Sequence, residues 1–166
     1  MITIISATGR HDSMTLRVAT KYAQLFREKG EEAHLVSLQH KVLWERSHDL
    51  LELEQHFLIP TQKFVFVMPE YNGSYPGILK VMIDNSDIKK CWWGKKAMLT
   101  GVADGRAGNL RGLDHFTNVL NYLRINVFYD KIPLSRINTE IDQNGNLLQE
   151  TTRQAIERQI DDFIRF

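Results

Sequence analysis

Two polar loops carry the residue types best suited to chemistry in this chain, and the first has the make-up of an anion site. Within one short segment it offers hydroxyl donors, a flexible glycine and a cation: Ser6, Thr8, Gly9, Arg10, Ser13 and Thr15. A helix predicted to begin near Ser13 points its free N–H groups and the positive end of its dipole at the same place. These features suit the binding of a phosphate monoester. The alternative is a polar loop in which Ser13 only caps the helix.

The second loop runs from Met68 to Gly77 and reads Met-Pro-Glu-Tyr-Asn-Gly-Ser-Tyr-Pro-Gly. It follows an apolar run, Phe64–Val67, that is typical of a buried strand, and it precedes a predicted helix over Ile78–Asp84. In an open α/β sheet, ligands bind in the crevice outside the carboxyl ends of the strands. This loop is therefore a second candidate site, although its glycines and prolines also suit an ordinary strand-to-helix turn.

The elements that position these loops alternate along the chain between strand and helix patterns. Such alternation predicts a parallel sheet with helices on both faces, and for this length a flavodoxin-like three-layer sandwich with five strands in the order 2-1-3-4-5. We expect residues 1–166 to form one domain. The predicted strands are Met1–Ile5, Ala33–Leu38, Lys63–Met68, Lys96–Gly101 and Asn126–Tyr129. The predicted helices are Ser13–Lys29, Asp49–Leu58, Ile78–Asp84, Leu110–Arg124 and Thr151–Ile164, with a small hairpin between Ile137 and Leu148 that turns at Asn144-Gly145.

This topology brings the two loops together. In a 2-1-3 order, the first and third strands diverge at the switch point, so the loops that follow them flank one crevice. The glycine-punctuated loop Gly101–Gly108, after the fourth strand, forms the third wall. A phosphate at the first loop and a flat ring against the other two describe flavin mononucleotide (FMN). The first loop lacks the Gly-Lys-Ser/Thr ending of a Walker A loop and is not a Gly-x-Gly-x-x-Gly dinucleotide fingerprint.

Both loops also carry a family resemblance. The first reads Ser-Ala-Thr-Gly-Arg-x-x-Ser-x-Thr and the second Pro-Glu-Tyr-Asn-Gly-Ser-Tyr-Pro-Gly-x-Leu-Lys. Together with Gly-Lys-Lys at 94–96 and the loop at 102–108, they resemble the NADPH-dependent FMN reductase family over nearly the whole chain. This chain departs from the family in reading Ser6-Ala7 where many members have Gly-Ser. Its segment Gln39–Gln62 is also short.

The resemblance implies an FMN site and a reaction. The phosphate would be held by Ser6, Thr8, Arg10 and Ser13 with the neighbouring Met14 and Thr15, and the isoalloxazine by Pro69, Glu70, Tyr71, Asn72 and Gly73, with Gly105 on the far side. NADPH or NADH would reduce the flavin, which would pass electrons to a flat acceptor such as a quinone, an azo compound or free flavin. The chemistry belongs to FMN, so no catalytic side chain is expected.

The main alternative is a flavodoxin-like electron carrier with no turnover of its own. Such carriers rely on a strongly acidic face to steer towards partners. The net charge here is +1, which favours the enzyme. That charge also gives no nucleic-acid footprint.

The remaining residues predict little further chemistry. The one cysteine, Cys91, allows no internal disulfide and is expected to be a structural thiol in a cytoplasmic protein. The chain begins directly with a strand pattern, and its apolar runs are too short to span a membrane. His11 is expected to be a solvated loop residue, the alternative being a histidine that faces an anionic substrate. None of the histidines shows metal-site spacing.

A homodimer or homotetramer is the final expectation, implied by the resemblance and supported by the helix after Pro76, which is apolar around more than one face. Trp92 and Trp93 fall in a connection where burial within one domain is hard to arrange, and large aromatic residues are enriched at interfaces. Phe116 and Tyr122 from the helix over Leu110–Arg124 are expected to contribute.

Overall fold

Six parallel strands form one sheet in the computed structural model, which describes residues 1–166. The order is β2-β1-β3-β4-β5, with β6 pairing the far end of β4, so the predicted flavodoxin-like order is confirmed. The strands are β1 (Ile2–Ser6), β2 (Ala33–Ser37), β3 (Lys63–Pro69), β4 (Lys96–Val102), β5 (Asn126–Val127) and β6 (Ile132–Leu134).

Helices cover both faces of this sheet. They are α1 (Met14–Glu28), α2 (His48–Leu53), which continues as a π-helical turn (Glu54–Leu58), α3 (Gly77–Asn85), α4 (Ile88–Cys91), α5 (Leu110–Tyr122) and α6 (Glu150–Arg165). The hairpin predicted between Ile137 and Leu148 begins instead with a 3-10 turn, Ile137–Thr139, and only one antiparallel bridge, between Ile141 and Leu147, follows it. No helix has both the length and the apolar character needed to cross a lipid bilayer.

The central strand β3 explains why the sheet needs two helical layers. Phe64 and Phe66 belong to a core with α2, α3 and α5, whereas Val65 and Val67 belong to a second core with α1 and α6. All four side chains are fully buried. A strand that is buried on both faces reads as a continuous apolar run, which is the pattern seen in the sequence.

The predicted fifth strand, Asn126–Tyr129, is wrong in its extent. The Phe128 N–H still donates to Ala97 O at 2.7 Å, but the Phe128 side chain packs against Phe163 of α6. Two residues later, the carbonyl of Asp130 accepts a hydrogen bond from the buried Gln159 Nε2 at 2.8 Å. These contacts draw the chain off β4, and pairing resumes at β6.

The expectation that Trp92 is hard to bury within one domain is wrong. Its side chain is fully buried, its indole N–H donates to Ser86 Oγ at 2.8 Å, and its ring lies 5.1 Å from that of Phe64. The short helix α4, capped by Asp87, turns the indole inward. Trp93 is half-buried, with the Arg124 guanidinium 4.0 Å from the ring centroid. Trp92 therefore gives no support to an oligomer.

The apolar residues of α3 are also largely satisfied within the chain. Leu79, Met82 and Ile83 are buried, and Ile78 and Val81 pack against the same core. Phe116, expected at an interface, is fully buried in the same core against Phe66. The oligomer thus stays a prediction that Trp92, α3 and Phe116 do not support.

Candidate functional site

An open cleft of about 200 Å³ lies at the carboxyl edge of the sheet, where the chain leaves β1, β3 and β4. Its walls come from three loops and from the turn before the hairpin. Its lining residues are Arg10, His11, Ser13, Met14, Thr15, Pro69, Glu70, Tyr71, Val102, Ala103, Asp104 and Ile137. The cleft therefore occupies the switch point between β1 and β3, where ligands bind in open α/β sheets.

The first wall is the N-terminus of α1. Ser13 caps the helix, since its Oγ accepts a hydrogen bond from Leu16 N–H at 3.1 Å. Its hydroxyl proton stays free to donate. The N–H groups of Met14 and Thr15, in the first turn, have no acceptor within the helix. No acidic side chain lies in this first turn. The wall therefore presents donors and a positive dipole end that attract an anion.

Two further hydroxyl groups lie at the end of β1, behind this wall. Ser6 is fully buried, and its Oγ has no hydrogen-bond partner within the protein. Thr8 is also buried, and its Oγ1 accepts from the Arg10 N–H at 3.2 Å. Buried polar groups are normally paired. The Ser6 hydroxyl is therefore a buried donor without a protein acceptor, at the base of the loop.

The second wall is Pro69–Tyr71, and a tight hairpin supports it. Tyr71 and Ser74 exchange backbone hydrogen bonds of 2.8 and 3.1 Å. Asn72 and Gly73 both have positive φ, +52° and +79°, as a type I′ turn requires. The Glu70 N–H donates to Val102 O at 3.0 Å, which fixes this wall to the third.

The third wall, Val102–Asp104, is held from both sides. The Ala103 N–H donates to Leu134 O at 3.0 Å, and the Ile137 N–H donates to Ala103 O at 3.1 Å. Gly101 permits the close return of the loop, because a Cβ there would lie 2.2 Å from the backbone oxygen of Gly108.

Most of the predicted site residues meet in this cleft. Seven of them line it: Arg10, Ser13, Met14, Thr15, Pro69, Glu70 and Tyr71. Ser6 and Thr8 lie behind the first wall. Asn72 and Gly73 form the hairpin tip, and Gly105, whose carbonyl accepts from the Arg136 N–H at 3.1 Å, follows the third wall; none of these three is a lining residue.

Five lining residues were not among the predicted site residues. Val102, Ala103 and Asp104 belong to the loop that the topology had indicated. Ile137 carries no sequence signal, because it arrives from a distant segment. His11 is exposed, as expected, yet it lines the cleft and contacts Gln39 Nε2 through Nδ1 at 2.7 Å. Its position next to Arg10 is the signal that could have identified it.

The charges of the cleft are divided between its walls. Arg10 and the N-terminus of α1 make one side positive, whereas Glu70 and Asp104 place carboxylates on the other walls. The arrangement can hold an anionic group at one end and a neutral, flat group between the second and third walls. No group of three or more His, Cys, Asp or Glu side chains is arranged to hold a metal ion.

Two buried titratable groups lie away from this cleft. Cys91 ends α4, and burial raises the pKa of its thiol to about 12, so the reactive thiolate is scarce near neutral pH. Lys95 precedes β4, at the opposite edge of the sheet, and its Nζ donates to Leu58 O and Ile59 O. Burial lowers the pKa of this amine to about 8. Both residues are buried and neither lines the cleft.

Curated relatives align with more than half of this chain. A 2-hydroxy-1,4-benzoquinone reductase of Burkholderia sp. is 30% identical over 103 residues, which are 60% of this chain and 56% of the relative. An NAD(P)H-dependent FMN reductase of Pseudomonas aeruginosa is 30% identical over 99 residues, 58% of this chain and 54% of the relative. The chain thus spans about half the length of the curated relatives it matches.

Solved structures share the fold. FerB, a flavoenzyme NAD(P)H:(acceptor) oxidoreductase from Paracoccus denitrificans, superimposes with a TM-score of 0.78 at 21% identity, covering 99% of this chain and 94% of FerB. The family model described as NADPH-dependent FMN reductase matches residues 1–138, which include all three walls of the cleft. This chain belongs to the NADPH-dependent FMN reductase family.

Proposed function

We propose that this protein is an FMN-dependent NAD(P)H oxidoreductase that reduces a flat acceptor such as a quinone, an azo compound or free flavin. One observation carries the proposal: the free N–H groups of α1 and the cation of Arg10 adjoin the Pro69–Tyr71 wall in one cleft. An anion site beside a flat slot matches the two halves of FMN. The family match over residues 1–138 supports it further.

The residues present fit the phosphate of FMN. The donors that line the first wall are the Ser13 hydroxyl, the N–H groups of Met14 and Thr15 and the Arg10 guanidinium, and the buried hydroxyl groups of Ser6 and Thr8 lie behind them. Ser6 offers a buried hydroxyl with no other partner. Charge-assisted bonds of this kind are roughly twice as strong as neutral ones, so a phosphate should bind here in preference to a neutral group.

The isoalloxazine would lie against Pro69, Glu70 and Tyr71, with Asn72 and Gly73 beyond them and Gly105 beside the third wall. When bound, FMN supplies hydride acceptance from the nicotinamide and electron delivery to the acceptor. The chain's own part is to bind and orient. The type I′ hairpin and the Glu70–Val102 hydrogen bond keep the second wall rigid, which holds a bound ring in one place.

Reduction under argon tests this function. Purified protein loaded with FMN should lose its flavin absorbance when NADPH or NADH is added, and recover it when benzoquinone follows. An electron carrier would keep its oxidised spectrum until a separate reductase is added. A protein that never retains FMN at saturating concentration would end both ideas. Comparing NADPH with NADH, and benzoquinone with an azo dye, then identifies donor and acceptor.

We also propose that residues 1–166 act as one FMN-binding domain that assembles as a homodimer or homotetramer in the cytoplasm, where a lone thiol such as Cys91 persists. A groove between α3, α4 and α5 supports the assembly, because Tyr122 at its rim is 81% exposed and Ile88 is 37% exposed. Light scattering decides it, since a mass near 19.3 kDa refutes an oligomer. Tyr122→Glu should yield monomers if this groove is the interface.

A further inference from the structure

A side-chain contact ties two walls of the cleft together. The hydroxyl groups of Thr8 and Tyr71 lie 2.5 Å apart, joining the end of β1 to the loop after β3. The same Thr8 oxygen accepts the Arg10 N–H at 3.2 Å. The Arg10 guanidinium carbon then lies 4.2 Å from the centroid of the Tyr71 ring. One aromatic residue thus contacts both ends of the segment that leads to the predicted phosphate site.

The contact between Thr8 and Tyr71 leaves one hydroxyl proton of the pair unused. Each hydroxyl carries one proton and two acceptor sites. One proton is used in the Thr8–Tyr71 bond, and the Arg10 N–H uses an acceptor site on Thr8. Whichever hydroxyl donates, the pair keeps one free O–H. When Thr8 donates, the free proton is on Tyr71, which lines the cleft, and when Tyr71 donates, it is on the buried Thr8.

The Arg10 side chain is oriented by the same ring. A guanidinium over an aromatic face is attracted by the ring quadrupole, with a strength of about 0.5–1 kcal/mol at exposed sites. Arg10 is exposed and forms no salt bridge with an acidic side chain, so the Tyr71 ring is its main support. The Asn72-Gly73 turn in turn fixes the backbone of Tyr71, which makes the ring a stable platform.

We infer that Tyr71 is a positioning residue for phosphate recognition: through Thr8 and Arg10, the loop expected to contact the flavin ring sets the affinity for the phosphate at the other end of the cofactor. This inference rests on the proposed FMN site. It differs from a simple ring contact in one measurable respect. Changing the Tyr71 hydroxyl should alter the preference for FMN over riboflavin, which lacks the phosphate, whereas a ring contact affects both flavins alike.

The experiment measures dissociation constants for FMN and riboflavin by quenching of flavin fluorescence. Tyr71→Phe keeps the ring and removes the hydroxyl, so FMN affinity should fall about 3- to 10-fold, as expected for one hydrogen bond, while riboflavin affinity stays within about twofold. Tyr71→Leu also removes the platform for Arg10 and should weaken FMN binding further. Tyr129→Phe is the matched control, because Tyr129 is 75% exposed and does not line the cleft.

A double-mutant cycle with Thr8→Val completes the test. If the two hydroxyl groups act through their shared bond, Thr8→Val and Tyr71→Phe together should cost less FMN affinity than the sum of the two single changes. Equal weakening of FMN and riboflavin by Tyr71→Phe would overturn the inference, as would tighter FMN binding or strictly additive effects. Wild-type protein that binds neither flavin would instead refute the proposed function, which keeps the two failures distinct.

Discussion

Replacing Ser13 with alanine separates helix capping from ligand binding at the first wall. The Ser13 Oγ accepts from the Leu16 N–H at 3.1 Å, so its loss removes the cap of α1. Loss of such a cap costs about 1 kcal/mol of unfolding free energy. The Ser13 hydroxyl also has a free proton, and we expect this hydroxyl to donate a hydrogen bond to the FMN phosphate.

The two losses have different sizes and different readouts. A hydrogen bond to a charged group contributes about 1.5–3 kcal/mol, so Ser13→Ala should weaken FMN binding about 10- to 150-fold. Urea unfolding of the flavin-free protein measures the cap, and fluorescence titration with FMN measures the ligand bond. Riboflavin affinity should change little, because riboflavin has no phosphate to lose a donor.

Ser47→Ala provides the matched control. Ser47 caps α2 by accepting from the Leu50 N–H at 3.2 Å, and its hydroxyl also donates to Val42 O, but it does not line the cleft. It should lose stability without losing FMN affinity. If Ser13→Ala and Ser47→Ala behave alike in both assays, Ser13 is only a helix cap and does not bind the phosphate.

Three further substitutions test the scaffold. Gly101→Ala should destabilise the fold by about 1–3 kcal/mol in urea, because its Cβ meets the Gly108 backbone, whereas Gly77→Ala, which meets open space, should not. Trp92→Ala should lower the free energy of unfolding by about 3–5 kcal/mol in the same assay without altering the mass in light scattering. A change of mass would indicate that Trp92 lies at a subunit interface. Burial lowers the pKa of Lys95 to about 8 from 10.5, so between these pH values the unfolded chain holds more protons and unfolding free energy rises with pH. Lys95→Met should flatten that rise, whereas the exposed Lys90→Met should keep it, and equal slopes for both variants would reject this titration.

Local signals were sufficient to predict the sheet and the position of the cleft. The run Phe64–Met68 is apolar at every position because both faces of β3 are covered, and this pattern needs no knowledge of partners. The loops after β1, β3 and β4 share one edge in any sheet of this order. Most of the predicted site residues consequently lie at the cleft.

Features set by distant contacts were not predictable in this way. The break between β5 and β6 depends on Gln159 of α6 and on the packing of Phe128, and neither is visible in the local sequence. Trp92 is buried because Ser86 and Phe64 receive it. The Asn-Gly pair at 72–73 is a local signal for a turn, and the structure places this turn at the tip of a hairpin beside the cleft, a position that the pair alone does not indicate.

A crystal structure of the protein with FMN is the most direct measurement of the central claim. We expect phosphate density at the N-terminus of α1, within hydrogen-bond distance of Ser13 Oγ and the N–H groups of Met14 and Thr15. The ring should lie between the Pro69–Tyr71 wall and the Val102–Asp104 wall. Density for the phosphate at any other edge of the sheet, or a ring outside these two walls, would contradict it.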